Sequence, residues 1–453
     1  MLSHSLHSFS GILQTIGVDE DLLIQKAVEL GWQVRKPRKI TPFDLLDAIY
    51  EKSHQTLASY NNLASEIDAK NGEGPARQAV AKRMNKECQR LIEFLIGKAF
   101  EYKLTEALAK EPEGFLKHYN RVLVQDSTII KLPAWLYEVF SGVSNGSSQV
   151  CNARIQATYD IKNMHLVAFS IDSYSKNDLK AAPELELLPG DLVLRDRGYL
   201  TMGEIHRHIQ AQADCIYRHK TGTTYLDPIT GEVIDLLELL QGNDYIDQIV
   251  MLNNSERTKV RLLSARVDEE TANLRRMKAK KENKGHNPSR AVLALMDWTI
   301  FITNVPKERA TFSMILTIYG LRWRIEIIFK AWKSHMNFDC IHRVSQTQLM
   351  IILKTRLLRI MIFTNHLYRS CYLIIRRLYN RQLSLLKFFN ELRNNPERIG
   401  IILRCLAEQI LNQYDPIWES LKKYCCYEKR TRLNYNQICD AIQFIDPLQN
   451  QKA

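Results

Sequence analysis

The sequence predicts an α/β core that is interrupted by a β-rich insertion and flanked by helical N- and C-terminal domains. Apolar residues recur at helical spacing at the start of the chain, then form strand-like runs from about residue 115, and the pattern is helical again at the end. A chain of 453 residues exceeds what one hydrophobic core covers, so more than one domain is expected. The predicted segments are a helical region (1–112), the first part of the core (113–220), the insertion (221–295), the second part of the core (296–345) and a helical C-terminal region (346–453).

Composition narrows the classes of function. The net charge of +12 and the pI near 9.1 favour a polyanionic partner, with nucleic acid first and an anionic membrane surface second. The N-terminus lacks the pattern of a secretion signal, and the most apolar tract (349–368) is broken by Lys354, Arg356 and Arg359, which argues against a membrane span. Nine scattered cysteines without a Cys-x-x-Cys pair suggest neither a disulfide framework nor a zinc site. We therefore expect a cytoplasmic protein.

The N-terminal region contains a possible helix-turn-helix. A short amphipathic helix (59–67) is followed by a turn with two glycines (70–75) and by a basic helix that is predicted to run from Ala76 to Leu95. In this interpretation the basic helix faces a DNA groove. A plain helical hairpin with a solvated basic face is the alternative. The groove-facing residues would be Arg77, Gln78, Lys82 and Arg83.

The first part of the core is predicted from its order of elements. Three strands come first, the second and third of them joined as a hairpin, and a strand, a helix and a further strand follow. This order approximates that of a ribonuclease-H-like α/β core. The predicted elements are strands at 121–132, 154–160, 164–173 and 191–195, a helix at 201–212 and a strand at 215–220.

The insertion has two distinct halves. Glycine and proline punctuate short strand-like runs in the first half, whereas residues 274–290 are strongly basic. The basic segment is either a solvated helix and loop or an arm that contacts phosphates. A strand at 298–303 then returns the chain to the core. The C-terminal region has no motif and is expected to pack against the core or a partner subunit.

A polar stripe marks the segment from Tyr319 to Lys333, which is predicted to form one largely buried helix. Four residues of this segment fall within an arc of roughly 60° on a helix, and the rest of its surface is mostly apolar. Buried charges are usually paired, so an ion network that braces the helix is one interpretation. A functional site is the other. The stripe consists of Tyr319, Arg322, Glu326 and Lys333.

Two further carboxylates favour the functional interpretation. Asp126 lies within a predicted strand, and Asp196 ends a later apolar strand, where an α/β sheet presents its active edge. In a ribonuclease-H-like sheet these strands are neighbours, and Glu326 would join them from a helix packed across the sheet. Three hard oxygen ligands suit Mg²⁺ or Mn²⁺ rather than zinc. Two such ions about 3.5–4 Å apart serve phosphodiester chemistry.

These motifs resemble those of one family. The spacing Tyr-x2-Arg-x3-Glu-x6-Lys is similar to the signature of the IS-four group of bacterial DDE transposases. Asp126-Ser127-Thr128 resembles the first aspartate motif of that group, and Asp196-Arg197-Gly198-Tyr199 resembles the second. A β insertion between the second aspartate and the glutamate is also a feature of the group. The resemblance covers roughly residues 115–340.

The resemblance implies cut-and-paste transposition of an insertion sequence through a DNA hairpin. It implies that Asp126, Asp196 and Glu326 bind two metal ions, Mg²⁺ or Mn²⁺. Tyr319, Arg322 and Lys333 would then hold a phosphate of the DNA end. The implied partners are the terminal inverted repeats, target DNA and a second copy of the chain in a synaptic complex.

Trp298 occupies the place of a tryptophan that, in relatives, stacks on an extruded base. A core tryptophan on a strand is the alternative. Two other functions also compete with transposition: a DNA-binding protein that has lost catalysis, and a ribonuclease-H-like nuclease that cuts without joining. The intact carboxylates argue against the first, and the resemblance of the stripe argues against the second.

Overall fold

The structure is a computed structural model, which describes residues 9–35, 39–53, 58–101, 117–142, 150–176, 182–282, 287–341 and 343–428. Strands in this part of the chain form a ten-stranded mixed sheet in the order β3-β2-β1-β4-β5-β10-β9-β8-β6-β7. Neighbours β1, β4 and β5 are parallel, and the other neighbouring pairs are antiparallel. The strands are β1 Arg121–Lys131, β2 Asn152–Asp160, β3 His165–Ser173, β4 Asp191–Arg195, β5 Asp214–Arg218, β6 Tyr225–Leu226, β7 Val233–Ile234, β8 Tyr245–Leu252, β9 Lys259–Arg266 and β10 Trp298–Thr303.

The described part of the N-terminal region is helical, as predicted, and residues 102–112 of that region lie outside the described part. The predicted extent of the basic helix was wrong. The helix expected over 76–95 is two helices, because Met84 leaves the helical region of backbone space and the Asn85 side chain accepts a hydrogen bond from the Cys88 amide (3.0 Å), which starts a new helix. The helices are α1 Phe9–Gln14, α2 Glu20–Glu29, α3 Pro42–Ser53, α4 Tyr60–Asn71, α5 Arg77–Arg83 and α6 Lys86–Glu101.

The insertion extends the core sheet. Strands β6 to β9 continue the sheet beyond β10, so that β10 lies between β5 of the core and β9 of the insertion. One buried apolar cluster contains Tyr217 from β5, Val260 from β9 and Ile300 from β10. The insertion and the core therefore share apolar packing. The α-helices between β4 and β10 in the chain are α7 Met202–Gln210, α8 Leu236–Gln241, α9 Glu269–Glu282 and α10 Arg290–Ala294.

The basic segment of the insertion is helical up to Glu282, and residues 287–289 have no regular secondary structure. Helix α9 carries it, and Leu274 and Met277 on this helix are exposed to 60% and 68%. Residues 283–286 of the segment lie outside the described residues. The choice between a solvated segment and a phosphate-contacting arm stays a prediction.

The C-terminal region is helical and packs against the rest of the chain, as one of the two alternatives predicted. Helix α13 continues through a π-helical stretch into α14 without a break. Asn365 in the π-helical stretch accepts a hydrogen bond from the Leu166 amide of β3 (2.8 Å), and Arg356 of α13 donates to the Ser53 carbonyl at the end of α3. Residues 429–453 lie outside the described part. The elements are α11 Phe312–Gly320, α12 Trp323–Met336, α13 Gln346–Met361, the π-helical stretch Ile362–Tyr368, α14 Arg369–Tyr379, α15 Leu385–Asn394, α16 Glu397–Ala407 and α17 Pro416–Cys425.

The part of the chain that the structure describes contains neither a membrane-spanning helix nor a disulfide. None of the helices in this part is long and apolar enough to cross a membrane. The eight cysteines in it are all free thiols.

Buried Arg261 ties the insertion to the segment that leads into α11. Its guanidinium forms two hydrogen bonds of 2.7 Å with the Asp247 carboxylate of β8. It also donates to the carbonyls of Val305 (3.2 Å) and Ala310 (2.7 Å), which lie between β10 and α11. Bidentate pairing together with two backbone contacts satisfies a buried charge that would otherwise destabilise the fold.

We expect Arg261→Met to lower the free energy of unfolding by about 3–5 kcal/mol, because Asp247 and two carbonyls lose their partner in the interior. Urea denaturation followed by circular dichroism measures this change. Arg266→Ala is the matched control, since its side chain is 59% exposed and pairs with exposed Asp244. The free energy of unfolding of the control should fall by less than about 1 kcal/mol. Equal losses in both variants would contradict the structural role of Arg261.

Candidate active site

The register of the central strands brings two of the predicted carboxylates to one level of the sheet. Gln125 of β1 pairs with Arg195 of β4 in a parallel ladder. The next residue on each strand is an aspartate, Asp126 and Asp196 respectively. Asp196 has an extended backbone and begins the turn at the carboxyl end of β4, where α/β sheets place functional groups.

The third carboxylate comes from a helix, but the single helix predicted over residues 319–333 is wrong. Helix α11 ends at Gly320 and α12 begins at Trp323. Between them the backbone amides of Arg322 and Arg324 bond to carbonyls three residues back, at 3.0 and 2.9 Å, instead of four. The turn tightens next to Gly320, a residue of low helix propensity, while the backbone stays right-handed. Glu326 lies in the first turn of α12.

Arg322 lies among the three carboxylates. Its guanidinium bonds Asp126 Oδ2 at 3.1 Å and Glu326 Oε1 at 2.9 Å, and the side chain is only 12% exposed. Burial acts to lower the pKa of Arg322, but Tyr319, Asp126, Asp196 and Glu326 together outweigh burial and raise it. The ion network considered as an alternative is thus present in part in the DNA-free chain.

Asp126 has a strongly perturbed pKa. Burial raises the pKa of Asp126 to about 6, and the negative charges of Asp196 and Glu326 act in the same direction. The Ser127 amide, which donates to Asp126 Oδ1 at 2.8 Å, and the Arg322 guanidinium act against this rise. Three carboxylates share one guanidinium, so the site favours the binding of additional positive charge.

Oxygen donors and excess negative charge make this site chemically suited to a divalent cation. In the conformation described, however, no group of three or more His, Cys, Asp or Glu side chains in the described residues is arranged to hold a metal ion. Arg322 provides the positive charge among the carboxylates instead. The donor set therefore fits a metal by its chemistry, while the side chains are arranged around the guanidinium.

Tyr319 and Lys333 both contact the backbone of the central strands. Buried Tyr319 donates its hydroxyl to the carbonyl of Arg195, the residue before Asp196, at 3.3 Å, and burial raises the pKa of Tyr319 to about 12. Lys333 Nζ donates to the Ile129 carbonyl of β1 at 2.9 Å. The structure therefore brings Tyr319 to the carboxylates and places Lys333 further along β1. Their contact with DNA stays a prediction.

Two neighbouring residues at the start of α12 are placed differently from the pattern in the sequence. Trp323, expected among the buried apolar residues, is 62% exposed, whereas Arg324 is buried and donates to the Tyr368 hydroxyl at 3.1 Å. The break before α12 changes which residues face the interior.

Trp298 of β10 is 7% exposed and lies within an apolar cluster, as the alternative of a core tryptophan predicts. Its indole N–H has no hydrogen-bond partner among the residues that the structure describes. Its stacking on an extruded base stays a prediction.

The basic helix of the N-terminal region is partly engaged in packing. Arg77 and Lys82 on α5 are exposed, as an interaction with a DNA groove requires. Arg83 instead lies over the Trp32 ring, 4.7 Å from its centre, and donates to the Trp32 carbonyl. The Trp32 indole N–H bonds the Arg83 carbonyl in return (2.9 Å). The structure therefore assigns the Arg83 guanidinium to packing, and the DNA contact predicted for it has no support in this conformation.

Sequence analysis did not identify the residues that support the turn after Asp196. Arg195 is 2% exposed and pairs with Glu204 of α7 at 2.7 Å. The Tyr199 hydroxyl donates to Gln156 Oε1 of β2 at 2.6 Å. An arginine at the end of an otherwise apolar strand was the signal for such a buried pair, but its partner could not be read from spacing.

Comparisons with known proteins identify the family to which the chain is related. A family model described as "Transposase DDE domain" matches residues 119–359, which is more than half of the chain. The transposase for insertion sequence element IS231B of Bacillus thuringiensis subsp. berliner is 24% identical over 437 residues, covering 90% of this chain and 91% of that protein. The transposase for insertion sequence element IS1151 of Clostridium perfringens is 24% identical over 385 residues, covering 79% and 80%.

Among solved structures, the piggyBac transposase synaptic complex with hairpin DNA has a TM-score of 0.42 and 8% identity, over 96% of this chain and 87% of that one. This similarity is too weak to support any conclusion about the chain. The match to the family model establishes the family of the chain, because it spans more than half of the sequence. The chain belongs to the family of transposases with a DDE domain, enzymes that cleave DNA and transfer its strands.

Proposed function

We propose that this transposase moves an insertion sequence by a cut-and-paste reaction in which Asp126, Asp196 and Glu326 are the catalytic carboxylates. The observation that carries the proposal is the grouping of these three side chains around Arg322, two of them within hydrogen-bonding distance of its guanidinium. Residues 200 positions apart in the chain meet there, on two strands and one helix. Such a group of acids matches phosphodiester chemistry better than a purely structural ion pair does.

The architecture of the core supports the same proposal. The strand order β3-β2-β1-β4-β5, with β1, β4 and β5 parallel, agrees with a ribonuclease-H-like core formed by residues 113–220 and 296–345. Residues 221–295 are the insertion into that core, and the helical regions 1–112 and 346–453 flank it. Asp126 and Asp196 then lie on the central pair of strands, and α12 carries Glu326 across them.

The cofactor in this proposal is a pair of Mg²⁺ or Mn²⁺ ions held by Asp126, Asp196 and Glu326. When bound, the ions would activate the attacking oxygen and stabilise the leaving oxygen of the phosphodiester. The raised pKa of Asp126 and the excess of carboxylates over guanidinium at the site support this assignment. Arg322 offsets part of the negative charge of the carboxylates in the form described here.

The chain's own residues would position the DNA end. Arg322, released from one carboxylate, would bind a non-bridging phosphate oxygen, because a guanidinium matches phosphate geometry. Lys333 would add a second positive charge along the same strand. Tyr319 would keep the end of β4, and with it Asp196, in position through the Arg195 carbonyl.

The proposed reaction has four steps. Water attacks the phosphorus at the transposon end, and the bond to the 3′ oxygen breaks to leave a 3′-hydroxyl. That hydroxyl attacks a phosphorus of the opposite strand and displaces the 3′ oxygen of the flanking DNA, which closes a hairpin on the transposon end. A second water attacks the hairpin phosphodiester and displaces the 3′ oxygen of the transposon end. The freed 3′-hydroxyl then attacks a target phosphodiester and displaces its 3′ oxygen. Asp126, Asp196 and Glu326 serve every step, because each is an in-line substitution at phosphorus.

The proposed partners are the terminal inverted repeats of the element, target DNA and a second copy of the chain. Two ends have to be held together for excision, so a homodimer in a synaptic complex is proposed. Exposed Arg77 and Lys82 on α5 could enter a groove of the repeat. Genomic DNA as substrate agrees with a location in the cytoplasm.

We expect Glu326→Gln to reduce DNA cleavage by at least a hundredfold, because it removes one of three charged ligands. The assay incubates the protein with Mg²⁺, a supercoiled target and the DNA ends that flank its own gene. The wild type should yield hairpin ends and joined products. Glu397→Gln, a substitution in the first turn of α16, is the control and should retain cleavage.

The products of the same assay separate the competing functions. Cutting without joining by the wild type would indicate a nuclease, and binding without cutting would indicate a DNA-binding protein that has lost catalysis. Unchanged cleavage by Glu326→Gln would show that the proposed active site is wrong.

We expect Asp126→Asn to stabilise the metal-free protein at neutral pH while it abolishes cleavage. Since folding raises the pKa of Asp126 from 3.8 to about 6, the wild type loses stability as the pH rises from about 4 to about 6, and asparagine avoids this loss. The gain should be about 1–3 kcal/mol above pH 6 and should vanish near pH 4. Urea denaturation in EDTA at several pH values measures it.

The control for this measurement is Asp247→Asn. Hydrogen bonds from Arg261 lower the pKa of Asp247, so its carboxylate contributes stability above its unfolded pKa and loses that contribution in acid. The substitution should therefore destabilise the protein at neutral pH. Destabilisation of similar size by Asp126→Asn would contradict the electrostatic description of the site.

A further inference from the structure

An exposed tryptophan follows the strand that carries Asp126. After β1 ends at Lys131, Pro133 turns the chain into a short 3₁₀ turn, Ala134–Leu136. Trp135 in this turn has 53% of its surface exposed. Its exposed face is available for stacking on a ligand, as aromatic side chains do on sugars and bases of nucleic acids.

Trp135 is held in a fixed position. Its indole N–H donates to the carbonyl of Val344 at 2.9 Å, and Val344 is buried just before α13. The Arg343 guanidinium lies over the ring, 5.4 Å from its centre. The ring is therefore ordered before any ligand binds, which lowers the entropic cost of binding.

The charge around this tryptophan is positive. Arg343 and Lys131 are exposed, and Lys333 bonds the Ile129 carbonyl on the same end of β1. Exposed Glu138 and Asp339 lie in the adjoining segments and offset part of this charge. One guanidinium over the ring, with an excess of one cation in the neighbouring segments, matches a phosphate and sugar backbone better than an apolar protein surface.

The direction of β1 relates this patch to the candidate active site. The strand runs from Asp126 to Lys131, five residues, which is about 16 Å at roughly 3.3 Å per residue. DNA advances about 3.4 Å per base pair. Lys131, the residue of the patch that ends β1, thus lies about the length of five base pairs from Asp126, and Trp135 follows it in the chain.

We propose that Trp135 and Arg343 form a contact surface for the backbone of the element's own terminal DNA, away from the cleaved bond. The indole packs on a deoxyribose and the guanidinium binds an adjacent phosphate. This inference rests on the proposed function, since it is the terminal DNA that occupies the carboxylates in every step. Target DNA is present only in the last step, so the terminal DNA is the occupant assigned here.

The test uses the full chain and a 40-base-pair duplex that carries the terminal sequence flanking its gene, in EDTA so that no cleavage occurs. We expect Trp135→Ala and Arg343→Ala each to weaken binding about tenfold. Arg343→Ala should also reduce the slope of log affinity against log salt by about one, whereas Trp135→Ala should not. Replacing single phosphates by neutral methylphosphonates, one position at a time along the terminal duplex, should weaken binding by the wild type at one position and leave Arg343→Ala unaffected there.

Two further variants separate DNA contact from structural support. Trp135→Phe keeps an aromatic ring but loses the bond to Val344, so it should bind nearly as the wild type does. Tyr424→Ala is the matched control, because Tyr424 is 53% exposed with Lys423 over its ring on α17. It should bind as the wild type does.

The proposal is overturned if Trp135→Phe binds as weakly as Trp135→Ala, since the tryptophan would then only anchor Val344. It is also overturned if no methylphosphonate position depends on Arg343, or if only a target duplex shows that dependence. Cleavage by the wild type in Mg²⁺ is measured separately. Failure to cleave would refute the proposed function, whereas normal cleavage without the methylphosphonate effect would refute this inference alone.

Discussion

The guanidinium of Arg322 is the interaction on which the candidate active site depends. Three carboxylates from distant parts of the chain converge there, and without a positive charge among them their mutual repulsion would oppose folding. Arg322 bonds two of them directly, and its own pKa is raised by all three. The group of carboxylates is thus stabilised in the metal-free chain by a cation that the protein itself supplies.

The backbone supports this arrangement from two sides. Parallel pairing of β1 with β4 sets Asp126 level with Asp196, and the tight turn after Gly320 directs Arg322 and Glu326 toward them. Tyr319 and Lys333 bond carbonyls on these same two strands. The polar stripe therefore fastens α11 and α12 to the sheet as well as providing charge.

Much of the site could be predicted from sequence because period and spacing are local signals. The strands that carry Asp126 and Asp196, and the helix that carries Glu326, were found in this way. The break at Gly320 was not, because a right-handed backbone can tighten its hydrogen bonds without any change in the apolar pattern. Exposure of Trp323 and burial of Arg324 follow from that break. The partners of Arg195 and Arg83 depend on tertiary contacts between segments far apart in the chain, which spacing does not encode.

The position of β10 between β5 and β9 has a consequence for synthesis on the ribosome. When β5 emerges, its outer edge has no neighbour, and it stays unpaired until Trp298–Thr303 has been made. Unpaired strand edges promote aggregation of growing chains. The Ser53 carbonyl at the end of α3 gains its hydrogen bond from Arg356 later still, because Arg356 is synthesised after β10. Truncated products that end within the insertion would therefore be both inactive and poorly soluble, so that incomplete translation yields little protein able to occupy transposon ends.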